Sequence, residues 1–244
     1  MAETTRLWFY VACMAAGALL FFTWSRRPGG VPQFEYAVAM AIPIWSGLAY
    51  TSLALGQGTL VVDGREVQVA RYLDWVVTTP LLLVALASTA MFYRRLDVTL
   101  FGGLIFADVL MILSGLIADL SSDPDHKWFW YINGCVCLLV ILWIVWGPLR
   151  RVAYDQGRGL GPVYSKVAGL LTLLWFGYPT IWALGPSGLG LFGRETDTAL
   201  FVLLPIVSKV GFSIYDLSQI RKLGAREPSH SVADHIHGTA YRGC

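Results

Sequence analysis

The sequence predicts an all-α fold: a bundle of seven membrane-spanning helices, N-terminus extracellular and C-terminus cytoplasmic. Three observations predict it. First, only 14% of the 244 residues are charged while 56% are hydrophobic. A soluble domain carries roughly 25% charged residues, so this chain lacks the charge to cover a water-facing surface. Second, the apolar residues come in seven long runs, and a span needs ~20 such residues. Third, lysines and arginines gather on one side of the layer that those runs would form.

The runs cover about 5–25, 33–55, 69–92, 97–119, 127–149, 163–185 and 197–220. Short connections make sequence neighbours antiparallel partners. The first run, Leu7 to Trp24, has the length of a signal sequence. Its basic pair, Arg26-Arg27, follows the run instead of preceding it, and no small-residue cleavage site is evident. It therefore reads as a span. Arg26-Arg27, Arg94-Arg95, Arg150-Arg151 with Arg158, and Arg221-Lys222 fall on one side, which sets that side as cytoplasmic. The opposite loops hold scattered positives, Arg65, Lys127 and Arg194. The loop from Gly56 to Gln68 contains Asp63-Gly64, a pair suited to a tight hairpin turn. Residues 1–222 form one membrane domain. Residues 223–244 form a polar tail, expected to be disordered, whose His230, His235 and His237 read as solvated.

Several function classes fall away. There is no basic stripe or nucleic-acid motif, so no nucleic-acid partner is expected. Cys13, Cys135, Cys137 and Cys244 have no framework spacing. No internal repeat suggests an inverted-repeat transporter. No nucleophile–base constellation or metal cluster suggests an enzyme.

Charged groups in hydrocarbon cost several kcal/mol, so each one inside a run is a functional candidate. In the third run Arg71, Asp74 and Thr78 are spaced i, i+3, i+7 and line one helix face; the alternative is an interhelical salt bridge that only locks packing. In the seventh run Lys209 has at least ten mostly apolar residues on its extracellular side, too far for its stem to reach the interface. Such a lysine needs a counter-ion or a covalent use, and its amine can form a Schiff base with an aldehyde. Asp74 is the natural partner: both lie near mid-membrane, on runs with the same direction. Asp216 follows Lys209 by two helical turns, about 10 Å, toward the cytoplasm. Asp108, mid-run in the fourth helix, reads as structural, bonded to a hydroxyl such as Thr79.

Aromatics fill the same depth: Trp75, Trp130, Tyr131, and Trp175, Tyr178, Pro179 and Trp182. The last four are spaced i, i+3, i+4, i+7, one helix face. Such a face is usually plain core. Opposite a buried lysine, it suits a cage for a long, flat apolar ligand.

These residues together resemble the microbial (type 1) rhodopsins. Arg71-Tyr-Leu-Asp-Trp-Val-Val-Thr-Thr-Pro80 looks like their third-helix signature, Trp175-Phe-Gly-Tyr-Pro-Thr-Ile-Trp182 like their sixth-helix wall, and Ser208-Lys209-Val-Gly-Phe212 like their retinal-linking motif. The likeness covers about residues 5–222. It implies all-trans retinal linked covalently to Lys209 as a protonated Schiff base, with Asp74 as counter-ion and Tyr50 and Tyr178 as polar neighbours. It also implies a pocket that includes Trp75, Thr79, Met111, Trp130, Tyr131, Trp175, Pro179, Trp182, Pro205 and Ser208. The location it implies is the cell inner (plasma) membrane, in the lipid bilayer, as a homo-oligomer, dimer or trimer.

Departures from the outward proton pumps narrow the resemblance. Those pumps carry a second counter-ion one turn before the lysine, where this chain has Pro205. They carry a carboxyl proton donor seven residues after the third-helix threonine, where this chain has Ala85. Pro205, Ile42-Pro-Ile-Trp-Ser-Gly-Leu-Ala-Tyr50, Gly115-Leu-Ile-Ala-Asp-Leu120 and Asp216 look like the xenorhodopsin branch. That branch holds light-driven inward proton pumps and a sensory rhodopsin that signals to a soluble transducer. Some members place a histidine of the second helix near the cytoplasmic aspartate; Trp45 is expected at that position here. The expected function is inward proton transport. Asp216 would accept the proton, and Asp74, Arg71 and Asp197 would form the return path. Asp197 reads equally well as a capping or solvated residue. The rival is a photosensor with a soluble cytoplasmic transducer. A light-gated channel has less support, since no continuous polar pore is evident.

Overall fold

A backbone in hydrocarbon must satisfy its own hydrogen bonds, and a helix does so within one segment. Each apolar run folds accordingly in the computed structural model, which describes residues 3–95, 97–157 and 159–224. The helices are α1 (Glu3–Ser25), α2 (Gln33–Ala54), α3 (Val69–Ala90), α4 (Val98–Leu120), α5 (Pro124–Asp155), α6 (Leu160–Leu184) and α7 (Arg194–Gly224). Residues 225–244, with the three histidines, and Arg158 lie outside the described residues.

Local chemistry sets the helix ends. Asp97 caps α4 by accepting from the Thr99 and Leu100 amides at 3.0 and 3.1 Å. Asp123 does the same for α5, accepting from Asp125 and His126 at 2.9 and 3.0 Å. Pro124 then occupies the first turn, where a missing N–H costs nothing. This starts α5 three residues before the hydrophobic run suggests. At its other end α5 continues past Gly147-Pro148 instead of stopping. A π turn over Val145–Leu149 absorbs the proline, and the Tyr164 hydroxyl of α6 donates to the Val145 carbonyl at 2.7 Å. A second π turn, Ile206–Gly211, follows Pro205 in α7 and carries Lys209. Such turns are frequent at functional sites.

Between α2 and α3 the expected hairpin forms. β1 (Leu60–Val62) pairs antiparallel with β2 (Arg65–Val67), with Val62 opposite Arg65. Asp63 and Gly64 have φ of 49° and 76°, as a two-residue turn of the primed type requires. This end of the bundle is the hairpin face. The end that bears Arg26, Arg94, Arg150 and Arg221 is the basic face.

Helix α3 runs through the centre, against α2, α4, α6 and α7; every residue from Leu82 to Ala90 is buried. The outer faces are apolar: Leu48, Phe106, Trp143 and Leu173 are all at least 63% exposed. In water such a belt would be an aggregation surface. In a membrane it is the lipid contact.

Candidate functional site

The midpoints of α3 and α7 bring a cation and an anion together out of water. Lys209 is 1% exposed and Asp74 0%, and the Lys209 Nζ donates to Asp74 Oδ2. Two ions held there need further hydrogen bonds to offset their lost hydration. Ser46 of α2 supplies them. Its hydroxyl accepts from Lys209 at 2.9 Å and donates to Asp74 Oδ2 at 3.0 Å. The Ser46 hydrogen is thereby committed, so the Tyr10 hydroxyl, 2.5 Å away, is the donor in its bond to Ser46. Thr78 donates toward the Asp74 carbonyl at 2.9 Å and Asp74 Oδ1 at 3.3 Å.

Toward the hairpin face, Arg71 reaches Asp197 Oδ2 at 3.5 Å and Gln68 Oε1 at 2.6 Å, and its guanidinium lies 4.0 Å from the Phe201 ring centre. Asp197 is thus paired with Arg71. Tyr50 stacks on Tyr10 with ring centres 3.8 Å apart and donates to the Phe201 carbonyl at 2.9 Å.

On the other side of α3 a slot runs between α3, α4, α5 and α6. Its walls include Trp75, Thr79, Met111, Tyr131, Trp175, Tyr178, Pro179 and Trp182. Trp182 stacks on Tyr131 at 4.9 Å and 14°, and Trp75 meets Tyr178 edge-on at 5.3 Å. Tyr178 and Ser208 share a 2.5 Å hydrogen bond that joins the slot to the lysine's own helix. A Cβ on Gly134 would stand 3.4 Å from the Met111 carbonyl, so glycine lets α5 lie close along this wall. Thr79 bonds Asp108 Oδ2 at 2.7 Å.

Further along α7, Asp216 is buried and accepts from the Thr89 hydroxyl at 2.7 Å. Thr89 lies fifteen residues beyond Asp74 on α3, about 22 Å along the helix. Leu82 and Leu86 on α3 and Phe212 on α7 are buried within those intervals.

A membrane bundle of seven helices with a lysine–aspartate pair at mid-span, beside an aromatic slot, has the architecture of a retinal protein. The family described as bacteriorhodopsin-like protein matches residues 1–223, and the chain belongs to that family. It is 36% identical to archaerhodopsin-3 of Halorubrum sodomense over 201 residues, 80% of this chain and 76% of the relative. It is 32% identical to sensory rhodopsin-2 of Natronomonas pharaonis over 231 residues, 94% of each. A solved light-driven proton pump, the Coccomyxa subellipsoidea rhodopsin, superposes with a TM-score of 0.80 at 29% identity, covering 88% of this chain and 96% of that one. The protein is therefore a multi-pass rhodopsin of the cell membrane, in a family whose members carry out light-driven transport or sensing.

The cofactor is retinal, held covalently by Lys209. The residues fit it. The lysine is sealed from water and the neighbouring slot is aromatic. Trp75, Met111, Trp175, Pro179 and Trp182 give the slot flat apolar walls that suit such a ligand.

Two expectations need correction. Trp130 packs partly buried beside the aromatic cluster but does not line the slot; Trp128 instead meets Tyr131 and Trp182 edge-on at 5.4 and 6.2 Å. Trp45 does not stand beside Asp216. It is exposed on the lipid side, its indole donating to the Leu73 carbonyl at 3.2 Å, on the hairpin-face half of α3. Tyr50, Pro205 and Ser208 lie on the lysine side rather than along the slot. Sequence reasoning missed Ser46 and Tyr10. The available signal was a serine in the quoted second-helix motif, one turn before Tyr50. It also missed a wall support: Trp182 Nε1 donates to Tyr72 OH and Tyr72 to Asp119 Oδ2, both at 3.1 Å, while Arg65 of the hairpin grips Asp119 at 2.5 Å.

Asp108 has no partner on Oδ1, so Thr79 supplies its one hydrogen bond among the described residues. Thr79→Val removes it at nearly constant volume and is expected to cost about 1–3 kcal/mol. A lower thermal midpoint for loss of the visible band measures this, and Thr79→Ser should restore most of it.

Proposed function

We propose that this rhodopsin is a light-driven inward proton pump of the xenorhodopsin branch. The observation that carries the reading is the unequal provision of carboxyl groups along α7. One turn from Lys209 toward the hairpin face stands Pro205, which holds neither charge nor proton. Two turns toward the basic face stands Asp216, buried and bonded by Thr89. The arginine-rich loops make the basic face cytoplasmic and the hairpin face extracellular.

Bound retinal supplies a light-driven isomerisation that re-aims the N–H on the Lys209 nitrogen. Before it, Asp74, steadied by Ser46 and Thr78, holds the proton on that nitrogen. Afterwards the extracellular side offers one carboxylate where outward pumps offer two, so the pull from outside is weak. Asp216 gives the proton an acceptor on the cytoplasmic side. Leu82, Leu86 and Phe212 fill the space along α3 and α7, so transfer requires water to enter there transiently. The nitrogen regains a proton from outside, where Gln68, Arg71 and Asp197 line a polar cavity of about 460 Å³. Asp74 is the last group on that route.

Cells that express the protein with retinal should alkalinise their medium in light, and a protonophore should abolish the signal. Acidification contradicts the inward direction. A photosensor is the second reading, favoured by the likeness to sensory rhodopsin-2 over nearly the whole chain; its partner would be a soluble cytoplasmic transducer. A normal visible photocycle without any pH change would establish it.

A further inference from the structure

The proton route makes no use of the motif Gly115-Leu-Ile-Ala-Asp-Leu120 at the hairpin-face end of α4, yet its carboxyl is buried. Asp119 is 6% exposed, and a carboxylate held there needs partners. The hairpin and α3 supply them. Arg65 of β2 donates to Asp119 Oδ1 and to the Asp119 backbone carbonyl, both at 2.5 Å. One guanidinium thus serves the side chain and a carbonyl in the last turn of α4, where helical partners run out. From α3, the Tyr72 hydroxyl donates to Oδ2 at 3.1 Å. A Cβ on Gly115, one turn before Asp119, would stand 3.4 Å from the Tyr72 ring, so glycine gives that ring room to reach the carboxylate. An indole N–H only donates and an ionised carboxylate only accepts, which fixes the order of the chain. Trp182 of α6 donates to Tyr72, Tyr72 donates to Asp119, and Arg65 meets Asp119 from the hairpin. Tyr72 and Trp182 line the aromatic slot, while Arg65 and Asp119 line the polar cavity on the hairpin side.

We propose that Arg65 and Asp119 are positioning residues for retinal: through Tyr72 they fix the rotation of the Trp182 indole, and so make the colour and dark isomer composition of bound retinal depend on the hairpin. Stacking on Tyr131 sets the plane of the indole, but stacked rings can still slide and turn in that plane. The bond to Tyr72 is directional and removes this freedom. A wall held in one rotation favours the retinal shape that fits it, and a wall free to turn discriminates less. The charge on Asp119 strengthens the Tyr72 bond, and that bond polarises the next one along. Without Arg65, Asp119 loses the partner that holds it at the end of α4. The inference needs retinal in the slot and holds for either direction of transport and for a sensor.

The test uses the full chain with retinal in membranes. Retinal is extracted in the dark and its isomers are separated, the visible band is recorded, and ultraviolet resonance Raman reads the hydrogen bond of the Trp182 indole, assigned by its loss in Trp182→Phe. Arg65→Gln and Asp119→Asn should each weaken the indole bond, move the visible band, and change the ratio of 13-cis to all-trans retinal by about threefold or more. Tyr72→Phe keeps the ring and the Arg65–Asp119 contact but cuts the chain, and should give the same changes. In a Tyr72→Phe background, Arg65→Gln should then have no further effect on retinal, because the two act through one path. Should Asp119→Asn fail to fold, Arg65→Gln alone decides, since its side chain is partly exposed on the hairpin. A lower thermal midpoint with an unchanged isomer ratio and visible band in Arg65→Gln would make the contact a fold clamp only and overturn the proposal. Additive effects of Arg65→Gln and Tyr72→Phe would overturn it as well.

Discussion

Replacement of Lys209 by alanine is expected to abolish visible absorption completely. Among the described residues no other primary amine stands in the aromatic site: Lys127 and Lys166 lie within the first two turns of α5 and α6, and Lys222 lies in the last turn of α7. The substitution also strips Asp74 of its partner. Breaking a buried pair costs about 3–5 kcal/mol when one charge is left behind, so colour loss alone could come from unfolding. Two further variants separate these causes. Lys209→Ala with Asp74→Asn removes both charges and should fold, and it should remain colourless with added retinal. Lys209→Arg keeps a cation near Asp74, but a guanidinium stays protonated and cannot form the imine. It should be colourless too. Visible colour in either variant would mean that retinal is not linked through Lys209.

Asp216→Asn is expected to lower the transport rate by about 10²-fold, the usual scale for removal of a positioned proton acceptor. The amide can still accept the Thr89 hydrogen bond, so the fold should survive. The visible band should barely move, because Asp216 lies two turns from Lys209 and does not line the aromatic slot. Flash photolysis and the bulk pH signal measure the two effects separately. Unchanged transport removes Asp216 from the pathway. A large colour shift would instead mean that the carboxyl senses retinal directly.

The sequence carries the large-scale design because the membrane imposes it. Seven apolar runs mark seven helices, and a lysine inside one of them marks the site. Asp74 is legible through its face-sharing spacing with Arg71 and Thr78, and Asp108 through the nearby Thr79. The hairpin is legible because Asp63-Gly64 has few conformational alternatives. What remains hidden depends on contact between helices far apart in sequence. Ser46 and Tyr10 are single polar residues on α2 and α1, and no periodicity shows that they converge on Asp74. Glu35 looks like an ordinary first-turn acid, yet it is only 5% exposed in the folded bundle. The rotation of α5 decides whether Trp128 or Trp130 meets Trp182, and four aromatics in a row, Trp128 to Tyr131, leave that rotation open. The ends of α5 depart from hydrophobicity for local reasons: an Asp-Pro cap extends one, and a π turn carries the helix through Pro148 at the other.

The direction of charge movement is the most direct measure of the whole account. In cells that express the full chain with retinal, photocurrent is recorded at zero applied voltage with equal pH on both sides. A sustained current that carries positive charge into the cytoplasm, lost on addition of Asp216→Asn to the chain, is the predicted result. A sustained outward current, or no sustained current, would contradict it.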